Sequence, residues 1–258
     1  MKMSPLILFP HGLGDCILLT PALRGFYKQT GQKVHIATLK RFETAQFFKH
    51  NPYVDKIFYT KDAWHDYNNA QQGFRSLVAE WTAYAQENGL GQLIMPTHRT
   101  PEPKILLNLR ALGVKSEDYR AEVYTSSSDK RTAAAIIKKL VGPAEFGFIH
   151  THTGVPSKDL PLNFGRAFMK RHGLKRVIEI GRELGALDEN INVQFEILRK
   201  AKIVCVADSV FYHACHAMQK PVNFAYFARG PAVYNRVRHL APAKENIHYD
   251  CGGSCENG

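Results

Sequence analysis

Asp15 follows a glycine turn, Gly12-Leu13-Gly14, and heads the run "CILLTPALRGFYK". A carboxylate at this point has two uses. It can cap the helix by accepting backbone N–H bonds and suiting the helix dipole, or it can look into a cleft and take a proton. The local pattern alone favours the cap. His11, Gly12 and Gly14 complete a ligand-facing loop, because the preceding run "SPLILFP" has strand character and strand, glycine turn and helix succeed one another.

Three further groups stand at the ends of apolar runs in the second half. In "THTGVPSKDLP", Thr151, Thr153 and Lys158 offer hydroxyls, backbone amides and a compact positive charge, a set suited to a diphosphate. In "EIGRE", Gly181 ends a strand-like run, and Glu183 is placed to accept both hydroxyls of a ribose. In "ADSVFYHACHA", Asp208 and Ser209 open a helix that carries His213 one turn in, where an anion would be met by N–H and side-chain donors. Each has a plainer reading: a solvated lysine, a first-turn acid, core histidines.

Metal and nucleotide-fingerprint chemistry fit poorly. His213, Cys215 and His216 lack the i, i+4 ligand pattern of zinc helices, and Cys251 and Cys255 form one C-x3-C pair without a second. "GLGDCI" lacks the third glycine of a dinucleotide fingerprint, and no G-K-[ST] follows it.

These residues must be held by larger elements. Short β-branched or aromatic runs alternate with helical patterns: "LILF", a helix from Asp15, "KVHIATL", a helix near 41–49, "KIFYT", a long helix near 68–88, "LGQLIMP" and a helix near 103–112. Apolar density falls through "GVKSEDYRAEVYTSSSDKR", a candidate boundary. The rhythm then restarts with a helix over 129–141, "FGFIHTH", a helix over 162–172, "RVIEIG", a helix over 193–201, "IVCVAD", a helix over 210–218 and "VNFAYF". Two parallel-sheet α/β domains are expected, 1–125 and 126–258, with the active site in the cleft between them.

The 258 residues carry 34 Lys and Arg against 23 Asp and Glu, a formal charge of +11. That excess favours encounter with anions but does not separate nucleic acid, a phosphorylated glycolipid, an anionic membrane face or a nucleotide. No run approaches the ~20 apolar residues of a membrane span, and no signal-peptide core is present, so a cytoplasmic protein is expected. Cys16, Cys205 and Cys215 read as reduced core thiols.

Taken together and in order, G-x-G-D-x-I-L-x-T-P-x-L-R, "HNPYVDKIF", T-x-T with the lysine and proline after it, G-x-E and D-S-x-x-x-H resemble glycosyltransferase family nine, the ADP-heptose:lipopolysaccharide heptosyltransferases. The resemblance implies a GT-B fold of two Rossmann-like domains, with the acceptor on the first and the nucleotide-sugar on the second. It also implies inversion without a catalytic metal, and a nucleoside-diphosphate sugar that is substrate rather than cofactor. Asp15 would then be the general base. Lys158 would neutralise the donor diphosphate, Thr151 and Thr153 would lie in the phosphate loop, Glu183 would bind the ribose, and Asp208, Ser209 and His213 would form the donor motif. Val210 departs from the family pattern, which has glycine after the Asp-Ser pair. The implied acceptor is the phosphorylated lipopolysaccharide core, reached peripherally at the inner membrane face. The alternatives are DNA carrying hydroxymethylated pyrimidines in a viral setting, with Trp64, Tyr67, Trp81 and Tyr84 for base stacking, and a nucleotide-sugar binder that has lost catalysis.

Overall fold

The computed structural model describes residues 3–61, 70–96, 100–151, 153, 158–160, 162–180, 190–228 and 230–249. Glu183, Trp64, Tyr67, Cys251 and Cys255 lie outside them.

The first half runs β1 (Leu6–Leu8), α1 (Leu13–Thr30), β2 (Val34–Leu39), β3 (Val54–Thr60), α2 (Ala70–Glu87), β4 (Leu93–Ile94) and α3 (Lys104–Ala111). The second half runs α4 (Ser127–Val141), β5 (Gly147–His150), α5 (Leu162–Arg171), β6 (Val177–Ile180), α6 (Ile191–Lys200), β7 (Ile203–Ala207), α7 (Val210–Ala217), β8 (Val222–Phe227), α8 (Gly230–Val237) and β9 (Glu245–Tyr249). Each half builds one sheet, in the orders β3-β2-β1-β4 and β6-β5-β7-β8-β9. Every described pairing is parallel. Parallel strands need crossover helices, which cover both sheet faces, so strands such as "LIL" and "VHIATL" are buried along their length.

The strand order reverses between β1 and β4 in the first sheet and between β5 and β7 in the second. At such a switch point, neighbouring loops leave in opposite directions and open a crevice at the strands' carboxyl ends. Asp15 follows β1; Thr151, Thr153 and Lys158 follow β5; Asp208 and Ser209 follow β7.

The polar stretch expected to separate the domains is an ordered strap fastened to α1. Arg24, 5% exposed, donates to the carbonyls of Asp118 and Arg120 and pairs with Asp118 at 3.0 Å and Glu122 at 2.7 Å. Thr20 Oγ1 accepts from the Glu122 amide at 2.8 Å. Arg24→Ala would leave two carboxylates facing each other across a vacated site. It should cost about 1–3 kcal/mol in urea unfolding, since the carboxylates are partly exposed and keep Arg120 and Tyr124 as partners. A cost below ~1 kcal/mol would show that the strap is held by its apolar contacts alone.

Two local expectations fail for identifiable reasons. No α-helix forms over 41–49: a single 3₁₀ turn (Lys40–Phe42) gives way to turns, and Gln46 sits at φ 53°, a left-handed conformation that ends a right-handed helix. The helix expected to start at 129 starts at Ser127, because Ser126 and Asp129 form a reciprocal capping box. The cap turns Asp129 toward His50 of the first half, at 3.4 Å. With Ile191 N–H on Ala45 O at 3.2 Å and Asn192 Nδ2 on Gln46 O at 3.1 Å, it ties the two halves on this side of the molecule.

Trp81 and Tyr84 are not stacking platforms. Trp81 is buried against Leu6, Leu8 and Leu77 and donates its indole N–H to Thr60 Oγ1 at 3.0 Å, and Tyr84 packs on the same cluster. Cys16, Cys205 and Cys215 are buried free thiols, as expected. Among the described residues no helix is long and apolar enough to cross a membrane.

Candidate active site

Asp15 is not the cap of α1, contrary to the local expectation. The N-cap of α1 is Gly12, in extended conformation and without a side-chain bond, and Asp15 lies inside the first turn. Its Oδ1 accepts from Lys104 Nζ at 2.6 Å, with both side chains mostly buried. Lys104 is the first residue of α3, and α3 is held on α1 by Asn108, whose amide donates to Leu18 O at 2.9 Å one turn further on. The loops after β1 and β4, the two strands at the first switch point, therefore deliver an acid and a base to one spot. A neighbouring ammonium favours the ionised carboxylate, the form in which Asp15 can accept a proton.

The second domain supplies the opposite wall. Lys158 Nζ donates to Asp208 Oδ2 at 2.5 Å, and Asp208 is 5% exposed. Ser209 is the N-cap of α7: its Oγ accepts from the Phe211 amide at 3.3 Å and stands 3.0 Å from His150 Nδ1. His150 is the last residue of β5, so the loops after β5 and β7 meet at the second switch point. Thr153 is present but engaged, since its amide and hydroxyl reach Asp159 Oδ1 at 2.7 and 3.3 Å. A carboxylate thus holds the donors that sequence reasoning offered to phosphate.

The walls close around a cleft of about 440 Å³ lined by Gly12, Gly14, Asp15, Arg41, Lys104, His150, Thr153, Lys158, Asp208, Ser209, Val210 and His213, among others. Of the expected site residues, the structure brings Asp15, Gly12, Gly14, Thr153, Lys158, Asp208, Ser209 and His213 together. Thr151 is buried in the sheet end, bonded through its backbone to Ile180 and Leu160, and is not among the lining residues. His11 packs edge-on to Phe9 and is likewise not among them. Lys104, Arg41 and His150 were missed. Lys104 was findable, because a helix start after a strand next to β1 is where the switch-point rule looks. A larger hollow of about 870 Å³ lies between α4 and α6, but none of its lining residues stands at a strand's carboxyl end.

The two domains touch closely at Gly14. A Cβ there would come within 2.6 Å of His213 Cδ2 and 3.1 Å of its Nε2, so only glycine lets α1 and α7 approach this far. Val210, where the family pattern has glycine, starts α7, packs against the core and is among the residues lining the cleft. Burial lowers His213 to about 4, against the opposing pull of Asp208 and Asp15, and burial lowers His239 as well. The unfolded chain therefore binds more protons than the native one between about pH 6.5 and about 4, and stability present above that window is lost as pH falls through it. For His213 alone the loss should be roughly 3 kcal/mol. It is read as urea-unfolding stability at pH 7.5 against pH 4.5, and His213→Asn should flatten the difference. An unchanged slope in the variant would mean that the native ring is not held neutral.

Among the described residues no group of three or more His, Cys, Asp or Glu side chains is placed to hold a metal ion.

No protein-family model matches the sequence, and no curated protein matches it at a significant level. Solved structures do match in shape. A glycosyl transferase family 9 protein from Veillonella parvula superposes with a TM-score of 0.66, covering 96% of this chain and 87% of that one at 13% identity. The E. coli ADP-heptose lps heptosyltransferase II gives 0.64, covering 95% and 90% at 10% identity. The chain has the GT-B fold. The E. coli heptosyltransferase WaaC, solved with ADP, gives 0.58 over 96% and 93% of the two chains at 12% identity. At such identities the likeness carries the GT-B architecture alone, and residue roles rest on the geometry of this cleft.

Proposed function

We propose that this GT-B protein is a glycosyltransferase that moves a sugar from a nucleoside-diphosphate sugar to a hydroxyl of an anionic acceptor, by direct displacement and without a metal. One observation carries the reading: both switch points open on a single cleft, with a lysine-paired carboxylate on one wall and a lysine, a helix N-terminus and histidines on the other. Residues 1–125 would bind the acceptor and 126–258 the donor. Asp15 removes the proton from the acceptor hydroxyl as it attacks the anomeric carbon, forming the new C–O bond while the bond to the diphosphate breaks. Lys158, the amides at the start of α7 and His213 stabilise the charge that develops on the departing diphosphate. A single displacement inverts the anomeric centre and needs no second carboxylate nucleophile, unlike the paired carboxylates ~5 Å apart of a retaining glycosidase.

The relatives in shape support the donor class, since one is solved with ADP and another is an ADP-heptose lps heptosyltransferase. The charge of +11 supports a polyanionic acceptor, first a phosphorylated lipopolysaccharide core. Nucleoside-diphosphate release should require both a sugar nucleotide and such an acceptor. Release independent of acceptor would make the protein a hydrolase and overturn the reading. Transfer to hydroxymethylated DNA in place of glycolipid, with steeply salt-dependent binding, would keep the reaction and replace the acceptor.

A further inference from the structure

His213 reaches the cleft from a buried cluster that the proposed reaction does not otherwise use. The edge of its ring carrying Cδ2 and Nε2 lies against Gly14, beside Asp15, and its Nδ1 stands 3.0 Å from Nε2 of His239, in the segment between α8 and β9. His239 is itself buried and stacked on His216, ring centroids 4.5 Å apart and planes at 23°. The protons of His216 are assigned by its partners. Its Nδ1 accepts from the Ala243 amide at 3.0 Å, so its N–H is on Nε2, which faces Glu245 Oε2 at 3.0 Å. Glu245 also accepts from Tyr212 at 2.8 Å and Tyr234 at 2.7 Å. Burial pushes the Glu245 carboxyl up, but His216 at ion-pair distance and the hydrogen bonds from Tyr234 and Tyr212 together hold it below its ordinary value, so it stays an acceptor.

Burial keeps His213 and His239 neutral, so each ring has one N–H and their shared contact needs one donor and one acceptor. Asp208 and Asp15, which line the same cleft as His213, act on the ring more strongly than the opposing cation Lys104. Their charge favours an N–H on the cleft edge of the ring, which leaves Nδ1 as the acceptor. We propose that His239 is a positioning residue: its Nε2–H donates to His213 Nδ1 and so fixes His213 as the tautomer that points an Nε2–H donor into the cleft. The opposite tautomer would point a lone pair at incoming phosphate oxygens. This extends the donor-binding role given to His213 above and rests on that reading only for what the N–H meets.

The tautomer is read directly by long-range ¹H–¹⁵N correlation of the histidine side chains in the ligand-free protein. A protonated Nε2 and bare Nδ1 are expected on His213; a protonated Nδ1 overturns the proposal. Inorganic pyrophosphate, a probe independent of the donor's base, should then shift the His213 Nε2 signal. No shift would count against the diphosphate site of the proposed function while leaving the tautomer assignment standing. His239→Phe keeps the stacked ring but has no donor, and should mix the His213 tautomers and weaken pyrophosphate binding roughly tenfold. His239→Gln, whose amide can donate to Nδ1, should restore both. If the Phe variant keeps a pure Nε2–H tautomer and full affinity, His239 does not set it. If the Phe variant does not fold, the wild-type spectrum still decides, because the proposal requires His239 to be protonated at Nε2 and His213 to be bare at Nδ1.

Discussion

Asp15→Asn is expected to lower kcat for sugar transfer by roughly 10²–10⁴-fold while changing donor affinity by no more than about twofold. Asparagine has the same shape, so the glycine turn and the first turn of α1 keep their path, and the N-cap is unaffected because it is Gly12. What disappears is the group that takes the proton. The substitution also leaves the mostly buried ammonium of Lys104 without its carboxylate, which should lower thermal stability modestly. Lys104→Met separates the effects. If the lysine only orients Asp15, its loss should reduce kcat less than the loss of Asp15 does. Unchanged kcat in Asp15→Asn would remove Asp15 from the chemistry and require another group to take the proton.

Lys158→Ala should weaken donor binding and slow turnover together, with kcat/KM for the donor down roughly 10²–10³-fold, the scale of losing one preorganised group that meets developing charge. In the free protein the lysine is bonded to Asp208, so a diphosphate must share it with a buried carboxylate or draw it away. Two consequences separate this from a general loss of fold. Lys158→Ala leaves Asp208 buried without its cation and should be less stable than the double variant Lys158→Ala with Asp208→Asn, in which no charge is stranded. Donor affinity, by contrast, should not return in the double variant. The coupling between the two positions, measured as a double-mutant cycle on stability and on affinity, should therefore differ between the two readouts.

The fold was legible because a parallel sheet writes itself into the chain as short apolar runs between helical patterns, and the switch-point loops then follow from strand order. Asp15, Lys158, Asp208, Ser209 and His213 were singled out from residue types at strand ends, and the cleft contains all of them. What could not be read depends on contacts far apart in sequence. The partner of Asp15 is 89 positions away, and although the switch-point rule points to the start of α3, nothing in "EPKILLN" shows that Lys104 pairs with Asp15. His239 is 26 positions from His213 and joins it only because β9, which the apolar pattern did not reveal, returns to pair with β8. Asp15 misled as a cap because aspartate is common at that position and glycine is also accepted there. The helix expected over 41–49 failed on a single backbone conformation at Gln46, which a residue of that type rarely adopts.

The account turns on one cleft binding a nucleoside-diphosphate sugar against the second domain while Asp15 acts from the first. Calorimetric titration of ADP-sugars and other nucleoside-diphosphate sugars into the wild type, Asp15→Asn and Lys158→Ala tests this most directly. The prediction is saturable one-site binding in the wild type, nearly the same affinity in Asp15→Asn, and affinity at least tenfold weaker in Lys158→Ala. Equal affinity in the wild type and Lys158→Ala, or no binding of any sugar nucleotide, would contradict it.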